Sequence, residues 1–222
     1  CPSKAGRLYR KHRCGGLTNK VHALSLEGMK AMPVEYINKK GKTYYLHRGM
    51  TKNQKVRFYF SRKTEGDLVD VMPDGYEVYE NPNGGVYIRK ARARVISDEE
   101  LAIVENEVRQ FPHLSYCKVD VKKGIISIYT PKQNVDKLLG IARLFSGAGD
   151  VDVQRTIGQL VTYSPELRFV LVDKEARLFQ TQRYCYRGTM DNWIDIGGSS
   201  KLEELVSRYV KHLETEVFFE LF

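Results

Sequence analysis

Nine residues combine charge and aromatic faces in a way that suits a phosphate backbone: Lys39, Lys40, Lys42, Arg48, Arg57, Tyr59, Arg62, Tyr87 and Arg89. Basic side chains neutralise phosphates and release their counterions, and a tyrosine ring offers a face on which any base can stack. Contacts of this kind carry no base-edge code. They predict nucleic-acid binding, to DNA or RNA, largely without sequence preference, with Tyr59 stacking a base.

The distribution of charge sharpens this expectation. The formal net charge is +9. Residues 1–95 hold 20 of the 36 Lys and Arg against 8 of the 27 acids, a net of +12, whereas the remainder carries 16 against 19, a net of −3. Residues 1–63 are more extreme, with 16 basic residues facing only Glu27 and Glu35. Solubilising charge would be scattered; segregation of this degree points to a face or arm for an anionic partner.

A second group with chemical potential lies in the stretch from Tyr184 to Asp195, where Arg187, Asp191 and Asp195, with Cys185 nearby, could line the pocket of a nuclease or nucleotide-processing enzyme. The plainer account is a strand entering a turn, with Trp193 packing and Asp191 bonding its own backbone, and it is preferred. The chain has no GxxxxGK[ST] phosphate loop, no GxGxxG, no HExxH and no GxSxG, so no catalytic residue is assigned. A third reading is a protein-interaction module for an acidic partner, since a small basic sheet could equally be an SH3-like barrel.

Metal chemistry is weakly supported. Cys1, His12, Cys14 and His22 are zinc-ligand types without the close CxxC pairing of compact zinc modules. They are read as part of a basic tail, and neither metal nor cofactor is expected. Cys117 and Cys185 fall in strand-like segments and read as small core residues rather than nucleophiles. His47, beside Arg48, reads as a polar surface residue. Four dispersed cysteines, no run of eighteen apolar residues and no apolar stretch in the first thirty positions lead to the expectation of a cytoplasmic protein that neither is secreted nor spans a membrane.

The elements that must position these residues are read from periodicity. Residues 1–30 form a basic, flexible extension with a short helix at 21–29. Residues 31–95 form a basic β-rich domain, a small antiparallel sheet or open barrel: strands at 43–47 and 55–62, then a hairpin of 76–80 with 86–89 about Asn81-Pro82-Asn83-Gly84-Gly85. In the first of these, Val56, Phe58 and Phe60 alternate with Arg57 and Tyr59. Residues 96–222 form an α+β domain of antiparallel hairpins and three helices. The helices are 98–110, capped by Ser97 with Glu100; 135–145; and one after Ser200 with Glu203, whose Leu202, Leu205, Val206, Tyr209, Val210 and Leu213 line one face. Without regular βαβ alternation the fold class is α+β. The apolar end, residues 217–222, is expected to dock on the C-terminal sheet or to join a homo-oligomer.

The stretches Tyr44-Tyr45-Leu46-His47, Arg57-Phe58-Tyr59-Phe60-Ser61, Pro73-Asp74-Gly75-Tyr76-Glu77-Val78-Tyr79-Glu80-Asn81-Pro82-Asn83-Gly84, Arg183-Tyr184-Cys185-Tyr186-Arg187-Gly188 and Phe218-Phe219-Glu220-Leu221-Phe222 resemble a family of uncharacterised bacterial proteins across roughly residues 40–222. That family has no assigned activity, so the resemblance implies a bacterial, cytosolic protein and transfers no catalytic residues.

Overall fold

In the computed structural model, residues 32–145, 150–187 and 190–220 are described. The basic extension with its cysteines and histidines, and the helix expected at 21–29, lie outside them. Strands β1 (Glu35–Ile37), β2 (Thr43–Met50) and β3 (Val56–Ser61) form an antiparallel sheet in that order. Leu46 and Phe60 are ladder partners and both are buried, while Arg57 and Tyr59 lie on the opposite side, as a period of two requires. Strands β4 (Tyr76–Glu80) and β5 (Val86–Lys90) pair as a separate hairpin. Val86 closes a small core over Leu46 and Phe60, ringed by half-buried Val34, Tyr36, Tyr44, Phe58, Val78 and Ile88.

The turn between β4 and β5 is built by one side chain. Asn81 Oδ1 accepts from the backbone N–H of Asn83 (3.1 Å) and of Gly85 (2.8 Å). Gly84 adopts φ 79°, and a Cβ there would lie 2.9 Å from Asn38 Nδ2, so this position requires glycine both for its conformation and for the close approach.

The second section carries α1 (Asp98–Gln110), α2 (Val135–Phe145), α3 (Asp150–Leu160) and α4 (Leu202–Tyr209) around a five-stranded antiparallel sheet ordered β10-β9-β8-β7-β6. Its strands are β6 (Lys118–Lys122), β7 (Ile125–Pro131), β8 (Tyr163–Asp173), β9 (Leu178–Arg187) and β10 (Met190–Asp195). One face, with Ile126, Ile128, Leu167, Phe169 and Phe179, packs on Val104 and Val108 of α1 and on Leu202, Leu205, Val206 and Tyr209 of α4. The fold is mixed α+β with the small sheets preceding the helices, as the periodicity implied.

Two local expectations need correction. Four α-helices are present among the described residues, not three. Asp-Val alternation and Gly158 disguise α3, yet Val153 and Ile157 are buried one turn apart against Val135 and Leu139 of α2. The capping box at Ser97 and Glu100 forms, but the one at Ser200 and Glu203 does not: the N-cap is Lys201, without a side-chain cap. The Ser200 backbone instead bridges to Phe179 at 2.8 and 3.0 Å, and its hydroxyl bonds Glu204.

Polar contacts join the small sheets to the large one, and the residues from Met32 onward form one compact unit. Asn83 Nδ2 donates to Tyr163 O (2.9 Å), and Tyr163 N–H donates back to Asn83 Oδ1 (2.7 Å). The Tyr79 hydroxyl donates to Asp120 (2.6 Å). Among the described residues no helix is long and apolar enough to cross a membrane.

The apolar end docks on the chain's own core. Phe218 is fully buried among Leu205, Val206, Leu213 and their neighbours, whereas Phe219 is exposed, and the Arg183 guanidinium donates to Phe219 O (3.2 Å). Phe218→Ala is expected to cost about 3–5 kcal/mol in chemical denaturation, and Phe219→Ala no more than about 0.5 kcal/mol. Equal losses from the two would refute this placement.

Candidate nucleic-acid interface

The β2–β3 hairpin projects beyond the small core. Every residue from Met50 to Arg57 is exposed. Its turn is nonetheless well defined: Thr51 N–H donates to Lys55 O (2.9 Å), Lys55 N–H donates to Thr51 Oγ1 (3.1 Å), Gln54 N–H donates to Thr51 O (2.9 Å), and Gln54 takes a left-handed φ of 55°. Lys52, Lys55 and Arg57 lie along this ribbon, followed by Arg62 and Lys63, and none of the five makes an ion pair among the described residues.

Arg57 is held by a column of side chains on the outer face. Tyr59 leans over Gly49, where a Cβ would lie 3.1 Å from its ring. His47, the cross-strand partner of Tyr59, is nearly parallel to it at 5.3 Å, and the Arg57 guanidinium lies 5.1 Å from the same ring. His47 is therefore not the surface residue that its neighbours suggested. It is buried, with Nε2 3.0 Å from Lys63 O, because the chain after Arg62 folds back and bridges at Leu68. Tyr59, still exposed, thus has its ring in contact with both His47 and the Arg57 guanidinium.

The remaining residues of the expected face lie elsewhere. Arg48 projects from the other side of β2 and is paired with Asp67 at 2.9 Å, which holds its pKa above the usual range by hydrogen bonding and charge. Tyr87 and Arg89 are on the outer face of the second sheet, where Arg89 pairs with Glu77 at 2.7 Å and lies 4.6 Å from the Tyr79 ring. Lys39, Lys40 and Lys42 belong to the β1–β2 turn. Lys40 Nζ donates to Val161 O (2.7 Å) and Gln159 O (3.1 Å), capping the carbonyl end of α3, and burial lowers its pKa. Lys39 lines a cleft of about 230 Å³ with Glu80, Lys118 and Asp120. The nine residues thus fall on three parts of the molecule, and only Arg57, Tyr59 and Arg62 share the projecting hairpin strand and its exit.

Sequence reasoning passed over Lys52, Lys55 and Lys63. A signal for them exists: residues 36–64 hold nine Lys and Arg and not one Asp or Glu. Lys118, by contrast, lies outside the basic section in sequence but is half-buried, 4.1 Å from the Tyr163 ring, with its pKa lowered by burial and then by Lys39 and Lys40.

No family model, curated protein or solved structure matches this chain. Its surface is therefore read from its own chemistry.

The second candidate group is engaged internally. Asp191 accepts from the Tyr184 hydroxyl and Asp195 from Gln182 Nε2, each at 2.7 Å. Arg187 contributes its backbone to β9, and its side chain lies outside what is described. No group of three or more His, Cys, Asp and Glu among the described residues could hold a metal ion. Burial, reinforced by Glu214 and Glu166, pushes the Cys117 thiol up to about 12, which leaves no thiolate for nucleophilic chemistry at neutral pH.

Two lysines two positions apart provide a direct check of this geometry. Lys40→Ala is expected to lower stability by about 0.5–1.5 kcal/mol, because it strips the α3 carbonyls of a charged donor. Lys42, whose side chain is exposed, should tolerate the same change within about 0.5 kcal/mol. Equal losses would contradict the cap. Glu166 supplies a pH test. Burial raises its pKa, opposed by a hydrogen bond from Thr130, so its contribution is present at low pH and lost as pH rises through the raised value. The stability of Glu166→Gln should therefore gain on the native protein between about pH 4 and 7 in urea titrations; a constant difference would refute the shift.

Proposed function

We propose that the chain is a nucleic-acid-binding protein, largely indifferent to sequence, which grips phosphates with the β2–β3 hairpin and the basic residues beside it. The observation that carries this reading is an exposed ribbon bearing Lys52, Lys55 and Arg57 with no carboxylate paired to them among the described residues, within a stretch of nine bases and no acid. A carboxylate-free cationic surface attracts polyanions, and without side chains placed to read base edges the interaction follows phosphate density. Four dispersed cysteines are compatible with work in a reducing cytoplasm.

The ion pairs rank the cations. With about five to seven phosphates contacted, log K should fall against log salt with a slope near −4 to −6 on duplex DNA, and less steeply on single strands. Lys55→Ala and Arg57→Ala should each reduce the slope by about one. Arg48→Ala and Arg89→Ala should reduce it less, because Asp67 and Glu77 already offset those charges. Lys174→Ala, on the exposed β8–β9 turn, is the control, a role Lys118 cannot fill beside Lys39 and Lys40. Undetectable binding to duplex and single strand at about 50 mM salt would overturn the proposal.

A further inference from the structure

The hairpin that bears Lys52, Lys55 and Arg57 also bears an apolar pair. Met50 and Val56 are ladder partners on the last rung before the turn, and they are 63% and 56% exposed. They lie on the side of the ribbon that, further along the strands, covers Leu46 and Phe60, but the small core ends before reaching them. Single exposed apolar residues are ordinary. A directly opposed pair at the end of a hydrogen-bonded ribbon is different, because each side chain shields the other and both advance as one rigid surface. Lys55 and Arg57 flank Val56 along the chain, on the opposite side of the ribbon, Lys52 lies in the turn, and residues 36–64 contain no carboxylate to repel a phosphate.

Resting on the reading of this hairpin as the phosphate-binding element, we infer that its ligand is duplex DNA. The ribbon lies in the minor groove, with Met50 and Val56 pressed against one base step as a wedge and the flanking cations on the phosphates at either side. An apolar wedge partly unstacks a step and bends the helix away from the groove, and the burial of the two side chains offsets the unstacking. The turn is already ordered by Thr51, Gln54 and Lys55, so little conformational freedom is lost on insertion. Such a wedge reads deformability rather than base identity. It predicts preference for flexible pyrimidine–purine steps over stiff A-tracts without any base-edge contact.

The test uses the full chain and a duplex of about 30 base pairs, labelled at both ends so that energy transfer reports the end-to-end distance. The native protein should shorten that distance, consistent with a kink of about 20–90°. The double variant Met50→Ser, Val56→Thr alters only exposed positions. It should bind roughly tenfold more weakly with the same salt slope, without the kink, and without the preference for flexible steps. Native protein that binds duplex without shortening it, or a double variant that bends it equally, would overturn the wedge and leave phosphate binding standing. Binding single strands as tightly as the duplex would do the same. Failure to bind either nucleic acid would remove both readings together.

Discussion

The reciprocal hydrogen bonds between Asn83 and Tyr163 hold the small sheets to the large one, and the rest of the arrangement follows from where they sit. Among the described residues the small core has three buried apolar side chains, Leu46, Phe60 and Val86, too little burial to offset the ordering of five strands and their connections. Stability has to be borrowed. It comes at one end, where the β1–β2 and β4–β5 turns meet: Asn38 Nδ2 donates to Gly84 O at 2.6 Å, Lys40 caps α3, and Asn83 exchanges two bonds with Tyr163. Strand β2 starts beside this anchored end and runs through eight residues to Met50, about 23 Å at the usual rise. Anchoring the turns at one end therefore pushes the β2–β3 hairpin out at the other.

That geometry explains why equally basic residues differ in availability. Lys40 lies at the anchored end and its ammonium is consumed by helix carbonyls. Arg48 and Arg89 lie at intermediate positions, within reach of Asp67 and Glu77. Lys52 and Lys55 lie at the far end, where no carboxylate pairs with them among the described residues. Net charge counts all of these alike, yet only cations without a partner contribute fully to the field that a polyanion meets.

Much of the fold was legible because it is written locally. Period two in Phe58 and Phe60 against Arg57 and Tyr59, the Asn-Pro-Asn-Gly-Gly turn, and the Ser97–Glu100 box each act within a few residues, and each forms as read. The failures are all non-local. Helix α3 draws its core face from contacts with α2 that its own alternation conceals. Ser200 loses its capping role to a backbone bridge with Phe179, twenty-one positions earlier. His47 is buried by a segment that returns after Arg62. The partners of the basic residues show the same limit: a residue type can be read from the sequence, but whether Asp67 or the end of α3 engages it depends on the tertiary fold.

The column of His47, Tyr59 and Arg57 shows how such non-local packing still serves the surface. An arginine on an exposed ribbon would ordinarily sample many rotamers and lose that freedom on contact with a phosphate. Here Gly49 leaves room for Tyr59 to lean across the ladder, His47 supports the ring from the partner strand, and the guanidinium rests against the ring. Part of the entropy is thus spent on folding rather than on binding. The ring contact leaves the guanidinium positively charged and its N–H donors available to a phosphate. A buried histidine, a leaning tyrosine and a glycine that leaves room for it thus place a ring beside the Arg57 guanidinium.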